Sequence, residues 1–444
     1  MSASLAALAI LAAGTPLAHQ DSPAKPVALS EKEVSRPSAR PDRIFLTWSA
    51  DPATSQSVTW RTDTSVTASM AEVAVETDGP GFNKAPGSVT VVKAETEKLV
   101  TDLNEAHFHS VTFGGLKPKT KYVYRVGDGA NWSEWIQFTT ASAKAEPFSF
   151  IYFGDAQNDV RSMWSRVVRQ AFSDAPKAKF MLHAGDLINR ANRDAEWHEW
   201  HGAGGWLNAM MPSIVTPGNH EYERPEGSQT RFISRHWRPQ FTLPTNGLKG
   251  LEESNYYIDY QGARIISLDS NVRLEEQAKW LDQNLSGKRP RWVIVTFHHP
   301  VFSAAQRRDN PQLRALWKPI FDKHRVDMVL QGHDHTYARG FYTNVPEGSK
   351  AMAKSGTAYV VSVSGPKMYD LEREPWMARA AEDTQLYQII HVDSNKIRYE
   401  ARTVKGRLYD AFELVKQGKA PNLMVEKKPK DPENLRPKKV PAGE

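Results

Sequence analysis

The sequence predicts an all-β sandwich followed by an α/β domain in which a layered β-sandwich is flanked by helices. Three observations lead to this fold class. Short alternating apolar runs fill residues 41–142, apolar runs separated by amphipathic segments fill residues 146–416, and short polar blocks follow several of the later runs. A chain of 444 residues with 40% hydrophobic content is long enough to bury more than one core.

The N-terminus contains an apolar stretch, Leu5 to Ala13, that has the length of a signal-peptide core and is followed by the small residues Gly14 and Ala18. No Lys or Arg precedes this stretch, so the usual positive charge is missing and a disordered apolar terminus is the alternative. We expect residues 1–20 to be a removed signal peptide, residues 21–40 to be a disordered linker, and the protein to be secreted or periplasmic.

The segment 41–142 reads as a series of short strands separated by clusters of Gly, Pro, Asn and Asp. The strand candidates are residues 44–48, 57–60, 71–75, 109–113, 121–126 and 136–138. Six or seven short strands in about a hundred residues, without helical periodicity, predict a small β-sandwich. The turn and strand from Leu116 to Tyr122 are similar to those of fibronectin type III domains.

From Phe148 the pattern changes to apolar strands that alternate with helical segments, which predicts an α/β domain over residues 146–416. The strand candidates are residues 148–153, 180–183, 213–216, 263–268, 292–297, 328–330, 359–364, 386–392, 397–403 and 411–415. The spacing predicts helices over Met163–Phe172 and Leu274–Leu285. Residues 417–444 are rich in Lys and Pro and lack apolar periodicity, so we expect a disordered tail.

Charge and composition exclude several kinds of site. The net charge of +6 lies partly in the tail, so it argues only weakly for nucleic acid, and no nucleic-acid partner is expected. An electropositive cleft that receives phosphate explains the excess positive charge better. The absence of cysteine excludes disulfides, zinc-thiolate sites and a cysteine nucleophile. No stretch reaches transmembrane length, so no integral membrane segment is expected, and the oligomeric state stays open.

Short polar blocks stand at the ends of five apolar runs, where ligands bind in open α/β sheets. The blocks are Gly154–Gln157, Gly185–Asn189, Gly218–Glu221, Val295–His298 and Gly332–His335. A single Gly-Asp is usually a turn and a lone His is usually structural, but five donor-bearing blocks in this order predict a dinuclear metal site. Oxygen and imidazole donors without thiolate suit borderline or hard ions, and paired ions commonly hydrolyse phosphate esters.

On these blocks the chain, from Pro41 to Val415, resembles the calcineurin-like metallophosphoesterase superfamily and, within it, the purple acid phosphatases. Those proteins also join a fibronectin-like sandwich to the metal-binding domain. Further local similarity lies in Asn255–Tyr260, Ile265–Asp269 and Gln277–Leu281. The resemblance implies metal-dependent hydrolysis of phosphate esters, first of all phosphomonoesters. A phosphodiesterase of the same superfamily and a non-catalytic surface-binding protein are the alternatives.

The resemblance also implies the metal ligands. Asp186 would bridge the two ions, since one carboxylate can give an oxygen to each. The other implied ligands are Asp155 and His335 for the first ion, and Asn219, His298 and His333 for the second. The two histidines of the last block stand two residues apart on a predicted extended segment, so they would project to the same side.

Two positions depart from the purple acid phosphatase pattern. Asn189 stands where those enzymes have an iron-binding Tyr. Gln157 stands where they have Gly and where many other superfamily members have a metal-binding His. Both are kept as candidate ligands, although Gln157 could equally cap a turn. Without a phenolate the argument for ferric iron weakens, so iron, manganese and zinc are all admissible.

The candidate catalytic residues lie in or beside these blocks. His220 is the candidate general acid for the leaving group, with Glu221 orienting it, and a structural loop histidine is the alternative. Arg190 is the first candidate for binding substrate phosphate, and Arg307 and Arg308 come second. Surface arginines are common, so Arg190 alone is kept as a catalytic candidate, and Arg307 and Arg308 rank below it.

Overall fold

The computed structural model describes residues 28–342 and 356–437. The predicted signal peptide, residues 1–20, lies outside these ranges, so secretion or a periplasmic location stays a prediction. No helix within the two described ranges is long and apolar enough to cross a membrane.

The N-terminal domain consists of two four-stranded antiparallel sheets that enclose one core. Its elements are α1 (Glu31–Val34), β1 (Asp42–Thr47), β2 (Gln56–Thr62), β3 (Met70–Val75), β4 (Val89–Lys93), β5 (Glu95–Val100), β6 (Glu105–Phe113), β7 (Lys121–Gly127) and β8 (Ile136–Thr139). The strand orders are β1-β2-β6-β5 and β4-β3-β7-β8. Inward side chains such as Trp60, Tyr124 and Phe138 fill the space between the sheets. The prediction missed β4 and β5, because these strands bury no regular row of side chains.

The prediction of a disordered linker over residues 21–40 is wrong for its described part. Ser30 forms a capping box with Glu33 at the start of α1. The carbonyl of Ser35 accepts a hydrogen bond of 3.0 Å from Arg61 Nη1. The partner that orders this segment lies far away in sequence, so local polarity gave no sign of it.

The second domain contains two seven-stranded mixed sheets and a two-stranded ribbon. Its elements are β9 (Phe148–Phe153), α2 (Ser165–Asp174), β10 (Met181–His183), α3 (Asp194–Gly204), α4 (Trp206–Met210), β11 (Ser213–Val215), β12 (Tyr222–Glu223), β13 (Phe232–Ile233), α5 (Trp237–Gln240), β14 (Tyr256–Tyr260), β15 (Ala263–Ser267), α6 (Leu274–Ser286), β16 (Trp292–Thr296), α7 (Pro311–His324), β17 (Met328–Gln331), β18 (Tyr337–Tyr342), β19 (Thr357–Val361), β20 (Met377–Ala381), β21 (Leu386–Val392), β22 (Lys396–Thr403), β23 (Leu408–Gln417) and β24 (Ala420–Glu426). The sheet orders are β11-β10-β9-β21-β22-β23-β24 and β14-β15-β16-β17-β19-β18-β20.

Alternating side chains of the second sheet divide between two cores, which accounts for the layers. Ile294 and Leu330 belong to the central core shared with the first sheet. Val293 and Val329 belong to an outer core that includes residues of α6 and α7. Strands buried on both faces read as continuous apolar runs, as these do in the sequence. The predicted fold class, an all-β domain followed by a layered α/β domain, is confirmed.

The prediction of a disordered tail over residues 417–444 is wrong for its described part. Strand β24 extends the first sheet by pairing with β23. Beyond it, Glu433 accepts a hydrogen bond of 2.9 Å from Arg373, and Arg436 pairs with Asp383 at 2.6 Å. Lys/Pro composition hides this order, because the partners come from other parts of the chain.

The two domains share aromatic packing. Phe45 of β1 lies in the central core of the second domain, with ring centroids 5.3 Å from Trp200 and 5.2 Å from Phe241. Trp48 packs in the same core at 5.7 Å from Phe180 and 5.3 Å from Tyr260. A core that takes side chains from both domains makes them one packed body.

A buried ionic cluster lies beside this aromatic contact. The carboxylate of Asp194, at the start of α3, is fully buried and accepts hydrogen bonds of 2.8 and 3.1 Å from Arg43 of β1. Arg61 Nη1 lies 3.6 Å from the same carboxylate, and His236 Nε2 lies 3.5 Å from it. The N-terminal domain thus neutralises a charge that the second domain has buried.

Candidate metal centre

The five predicted blocks follow strand ends at one edge of the two sheets. Asp155 follows β9, Asp186 follows β10, Asn219 follows β11, His298 follows β16 and His333 follows β17. The strands that carry them run parallel within their sheets, so their carboxyl ends meet at a common edge. A parallel bridge between Asp155 and Val363 links the chain after β9 to the chain after β19.

One group of donor atoms converges on the imidazole of His298. Its Nε2 atom lies 3.1 Å from Asp186 Oδ2, 3.1 Å from Asn219 Oδ1 and 3.1 Å from His333 Nδ1. Its Nδ1 atom donates a hydrogen bond of 3.0 Å to the carbonyl of Ala184, which leaves the Nε2 lone pair directed at the group. One ring nitrogen carries at most one proton and cannot satisfy three partners, whereas a metal ion can.

A second group contains Asp155, Asp186 and His335. His335 Nε2 lies 3.1 Å from Asp155 Oδ2, and His335 Nδ1 donates a hydrogen bond of 2.9 Å to the carbonyl of Lys367. Asp155 Oδ2 is buried and has no hydrogen-bond partner. Asp186 belongs to both groups, which is the arrangement expected of a carboxylate between two ions.

The electrostatics of the groups favour cations. Burial alone would lower the pKa of His298, but the carboxylates of Asp186 and Asp155 raise it to about 9. Burial and then the charge of Asp186 raise the pKa of Glu221 to about 8. Buried negative charge thus raises the pKa of His298 and adds to the effect of burial on Glu221. The described oxygen and imidazole donors therefore fit metal ions in charge as well as in geometry.

Gln157 is buried beside the second group. Its side-chain nitrogen lies 2.8 Å from Asp186 Oδ2 and 3.3 Å from His335 Nε2, while its Oε1 atom is buried without a partner. A half-turn of the amide exchanges the two atoms and directs the oxygen into the group. Its position agrees with the predicted ligand role better than with a turn cap, and the ligand role itself stays a prediction.

The backbone of Asn189 and the side chain of Arg190 contact Glu196. The backbone N–H of Asn189 donates to Glu196 Oε2 at 2.8 Å, and its carbonyl accepts a hydrogen bond of 2.5 Å from His220 Nδ1. Arg190 Nε donates to Glu196 Oε1 at 2.7 Å, and its side chain is 64% exposed. These contacts lend no support to Asn189 as a ligand or to Arg190 as a phosphate clamp.

Arg308, the weaker arginine candidate in the sequence, lies directly against a ligand block. Its Nη1 atom donates a hydrogen bond of 3.0 Å to the carbonyl of His333, and its guanidinium lies 4.7 Å from the centre of the Tyr369 ring. The Tyr369 ring in turn packs 4.5 Å from the ring of His335. Sequence reasoning missed Tyr369, because it stands in a loop without any metal-binding pattern.

Glu221 does not orient His220, and that prediction is wrong. The Glu221 carboxylate accepts hydrogen bonds from the backbone N–H groups of Asp186 at 2.9 Å, Leu187 at 2.8 Å and Gly218 at 2.6 Å. It thereby fixes the loop that carries the shared carboxylate. His220 is oriented instead by the Asn189 carbonyl, with its Nε2 atom 3.9 Å from Asp186 Oδ2 and 26% of its side chain exposed.

The backbone of the site is strained. Asp186, His333 and His335 all have left-handed φ angles, of 52°, 76° and 49°. The extended segment predicted for the two histidines is therefore wrong, and His333 turns its N–H to Asp155 Oδ1 at 2.7 Å. Non-glycine residues in this region cost about 1–3 kcal/mol each and cluster at functional sites. Gly332 is required for close approach, since a Cβ there would lie 2.1 Å from Asp155 Oδ1.

Comparisons with known proteins agree with this architecture. Residues 41–140 match the family described as purple acid phosphatase, N-terminal domain, and residues 148–337 match the calcineurin-like phosphoesterase family. The chain is 27% identical over 295 residues to probable purple acid phosphatase 20 of Arabidopsis thaliana, covering 64% of this chain and 65% of that protein. It is 26% identical over 337 residues to acid phosphatase type 7 of Homo sapiens, covering 68% of this chain and 71% of that protein.

The alignments span between about half and two thirds of the length of the plant relatives. Among solved structures, purple acid phosphatase PPD1 from yellow lupin (Lupinus luteus) seeds has the same fold, with a TM-score of 0.72 and 18% identity. That match covers 85% of this chain and 74% of the lupin chain. The chain belongs to the calcineurin-like metallophosphoesterase superfamily and carries the N-terminal domain of the purple acid phosphatases.

Proposed function

We propose that this protein hydrolyses phosphate esters, with phosphomonoesters preferred, at a centre that holds two metal ions. The observation that carries the proposal is the pair of donor groups that share Asp186 at the carboxyl ends of the strands. Family membership supports the reaction class, and the donor chemistry supports iron, manganese or zinc as the ions. Bound ions would supply positive charge to the phosphoryl oxygens and acidify a water molecule.

The residues around the donor groups have separate tasks in this proposal. His220 stands beside the shared carboxylate, and the Asn189 carbonyl fixes its Nδ1 proton. When His220 is doubly protonated, its Nε2–H can donate to the oxygen of the leaving alcohol. Its partial exposure lets it regain that proton from solvent. Glu221 holds the backbone of the Asp186 loop and so keeps the shared carboxylate in place.

The monoester preference rests on the cationic surroundings of the site. Arg307, Arg308 and Tyr369 line an open cavity of about 410 Å³. The cavity also contains Asp370, which pairs with Arg436, and Arg308 lies 3.8 Å from Asp334. Arginine binds the oxygens of a terminal phosphoryl group bidentately. A phosphomonoester offers more charge to such residues than a diester does, whereas a diesterase needs room for a second ester group.

Purified full-length protein should contain about two metal ions per chain and hydrolyse p-nitrophenyl phosphate in preference to bis-p-nitrophenyl phosphate. Metal content and both rates are measured on the same sample. Faster hydrolysis of the diester would contradict the monoester preference and identify a phosphodiesterase. A sample that stays inactive after reconstitution with iron, manganese and zinc would support the non-catalytic surface-binding alternative.

His220→Ala is expected to lower kcat by roughly 10²–10⁴-fold on an alkyl phosphate, because the leaving alkoxide loses its proton donor. The loss should be much smaller for p-nitrophenyl phosphate, whose leaving group needs little protonation, and metal content should stay unchanged. His324→Ala is the matched control, since His324 pairs with Asp282 away from the centre. Equal losses on both substrates would contradict the general-acid role.

A further inference from the structure

A second concave site lies at the opposite edge of the sheet that leads to His298 and His333. It is a cavity of about 510 Å³ at the amino-terminal ends of β16, β17 and β19. Strand β16 spans the distance between this cavity and the metal centre. Five residues at about 3.3 Å each separate the two sites by roughly 17 Å, so they are distinct.

The cavity is strongly basic. Its cationic lining residues are Arg289, Arg291, Lys323, Arg325 and Lys416. Of the two lysines, Lys323 pairs with Asp282 outside the cavity at 2.7 Å and Lys416 pairs with Asp327. It also contains two carboxylates, Asp322 and Asp327, but both are already engaged. Asp322 pairs with Lys318 at 2.6 Å, and Asp327 accepts hydrogen bonds from Lys416, from Asn422 Nδ2 at 2.6 Å and from the backbone N–H of Val293 at 2.8 Å.

The three arginines of the cavity are not in ion pairs, although the charge of Asp327 acts on Arg289. Within the described ranges, no carboxylate lies within ion-pair distance of the guanidinium of Arg289, Arg291 or Arg325. Neutral groups hold these side chains in place: Arg289 donates to the carbonyl of His324 at 2.5 Å, Arg291 donates to Asn395 Oδ1 at 2.6 Å, and Arg325 donates to the carbonyl of Lys419. A guanidinium has five N–H donors, so each single contact leaves most of them for a ligand.

We propose that this cavity binds a small compound that carries a phosphate group. A concave site with net positive charge concentrates anions, and its volume is that of a small-molecule site. Arginines whose forks are already oriented lose little freedom when they bind phosphate oxygens bidentately. The same chemistry accepts inorganic phosphate and an organic phosphate or phosphonate, and the probes below separate these two sources.

The experiment titrates the full-length, metal-loaded protein by calorimetry with inorganic phosphate and, separately, with phenylphosphonate, which has no ester to hydrolyse. The tighter of the two probes identifies the free or the organic phosphate group as the preferred ligand. Against that probe, the double variant Arg289→Gln, Arg291→Gln should lose one binding event or weaken it by about 10–100-fold. Hydrolysis of p-nitrophenyl phosphate should stay unchanged, because neither arginine touches the metal centre.

Arg325→Gln is the second variant, since its exposed position makes misfolding a poor explanation of any loss. Lys279→Gln removes one positive charge from the exposed face of α6, outside the cavity, and is the matched control. Selective weakening in the arginine variants supports the site. Identical titrations of the native protein, both arginine variants and the control would overturn it. Titration of the His298→Ala variant separates this binding from binding at the metal centre. That variant should still bind the probe in the arginine-lined cavity.

Discussion

His298→Ala is expected to empty the donor group around His298 of metal and to lower kcat/KM for a phosphomonoester by about 10³-fold or more. The Nε2 atom of His298 is the point where Asp186, Asn219 and His333 converge, so its removal takes away the central donor. Charge stabilisation by a metal ion is worth several kcal/mol in the transition state, which corresponds to this loss of rate. Metal content by elemental analysis and steady-state kinetics on one preparation measure both effects.

His391→Ala is the matched control for this variant. His391 stands on β21 and its ring is not part of either donor group, so metal content and kcat/KM should both stay native. Full activity in the His298 variant would contradict the metal assignment. Loss of activity with both ions retained would place His298 in the chemistry rather than in metal binding.

Asp194→Asn is expected to lower the free energy of unfolding by about 3–5 kcal/mol, the usual cost of leaving a buried charge without its partner. Arg43 is buried against Asp194 and would lose the carboxylate to which it donates two hydrogen bonds. The change is isosteric, so a cavity does not contribute. Denaturant titration followed by tryptophan fluorescence measures the loss. Asp282→Asn breaks an exposed pair with Lys323 and should cost less than about 1 kcal/mol.

The loss of stability in Asp194→Asn should depend on pH. Burial alone would raise the pKa of Asp194, but the charge of Arg43 and the contact with His236 lower it below its ordinary value of 3.8. A carboxyl with a depressed pKa in the folded state stabilises fully above the pKa of the unfolded chain and loses that contribution as the pH falls below it. The difference in stability between native protein and variant should therefore shrink below about pH 4. A difference that does not change with pH would contradict the ionic origin of the stabilisation.

The donor residues were predictable because strand ends bring local patterns together. A Gly-Asp or Gly-Asn after an apolar run places its side chain at the edge of a sheet, and parallel strands gather these edges. The strand-end pattern predicted where Asp155, Asp186 and His298 would lie, and the family resemblance implied their role as ligands. The assignment of Glu221 failed because its partners are backbone N–H groups of a loop 34 and 35 residues earlier in the chain, which no side-chain pattern reveals.

Side-chain direction was harder to predict than position. Arg190 is adjacent in sequence to a ligand block, yet Glu196 draws it toward α3, whereas Arg308 reaches His333 from a separate loop. The two histidines of the last block follow a left-handed backbone in place of the expected extended one. In each case a contact with a residue outside the block, rather than the spacing within it, sets the direction of the side chain.

On the side where it meets the second domain, the sandwich shares a hydrophobic core with that domain. Arg43 holds the first residue of α3, and the five residues before α3 begin with Asn189, whose carbonyl orients His220. The short backbone segment from Asn189 to Asp194 thus connects Arg43 of the N-terminal domain with His220 beside the shared carboxylate. Detaching the sandwich would expose Trp200 and Phe241 to water and free the start of that segment. In this chain the all-β domain anchors the segment that orients His220, the proposed general acid.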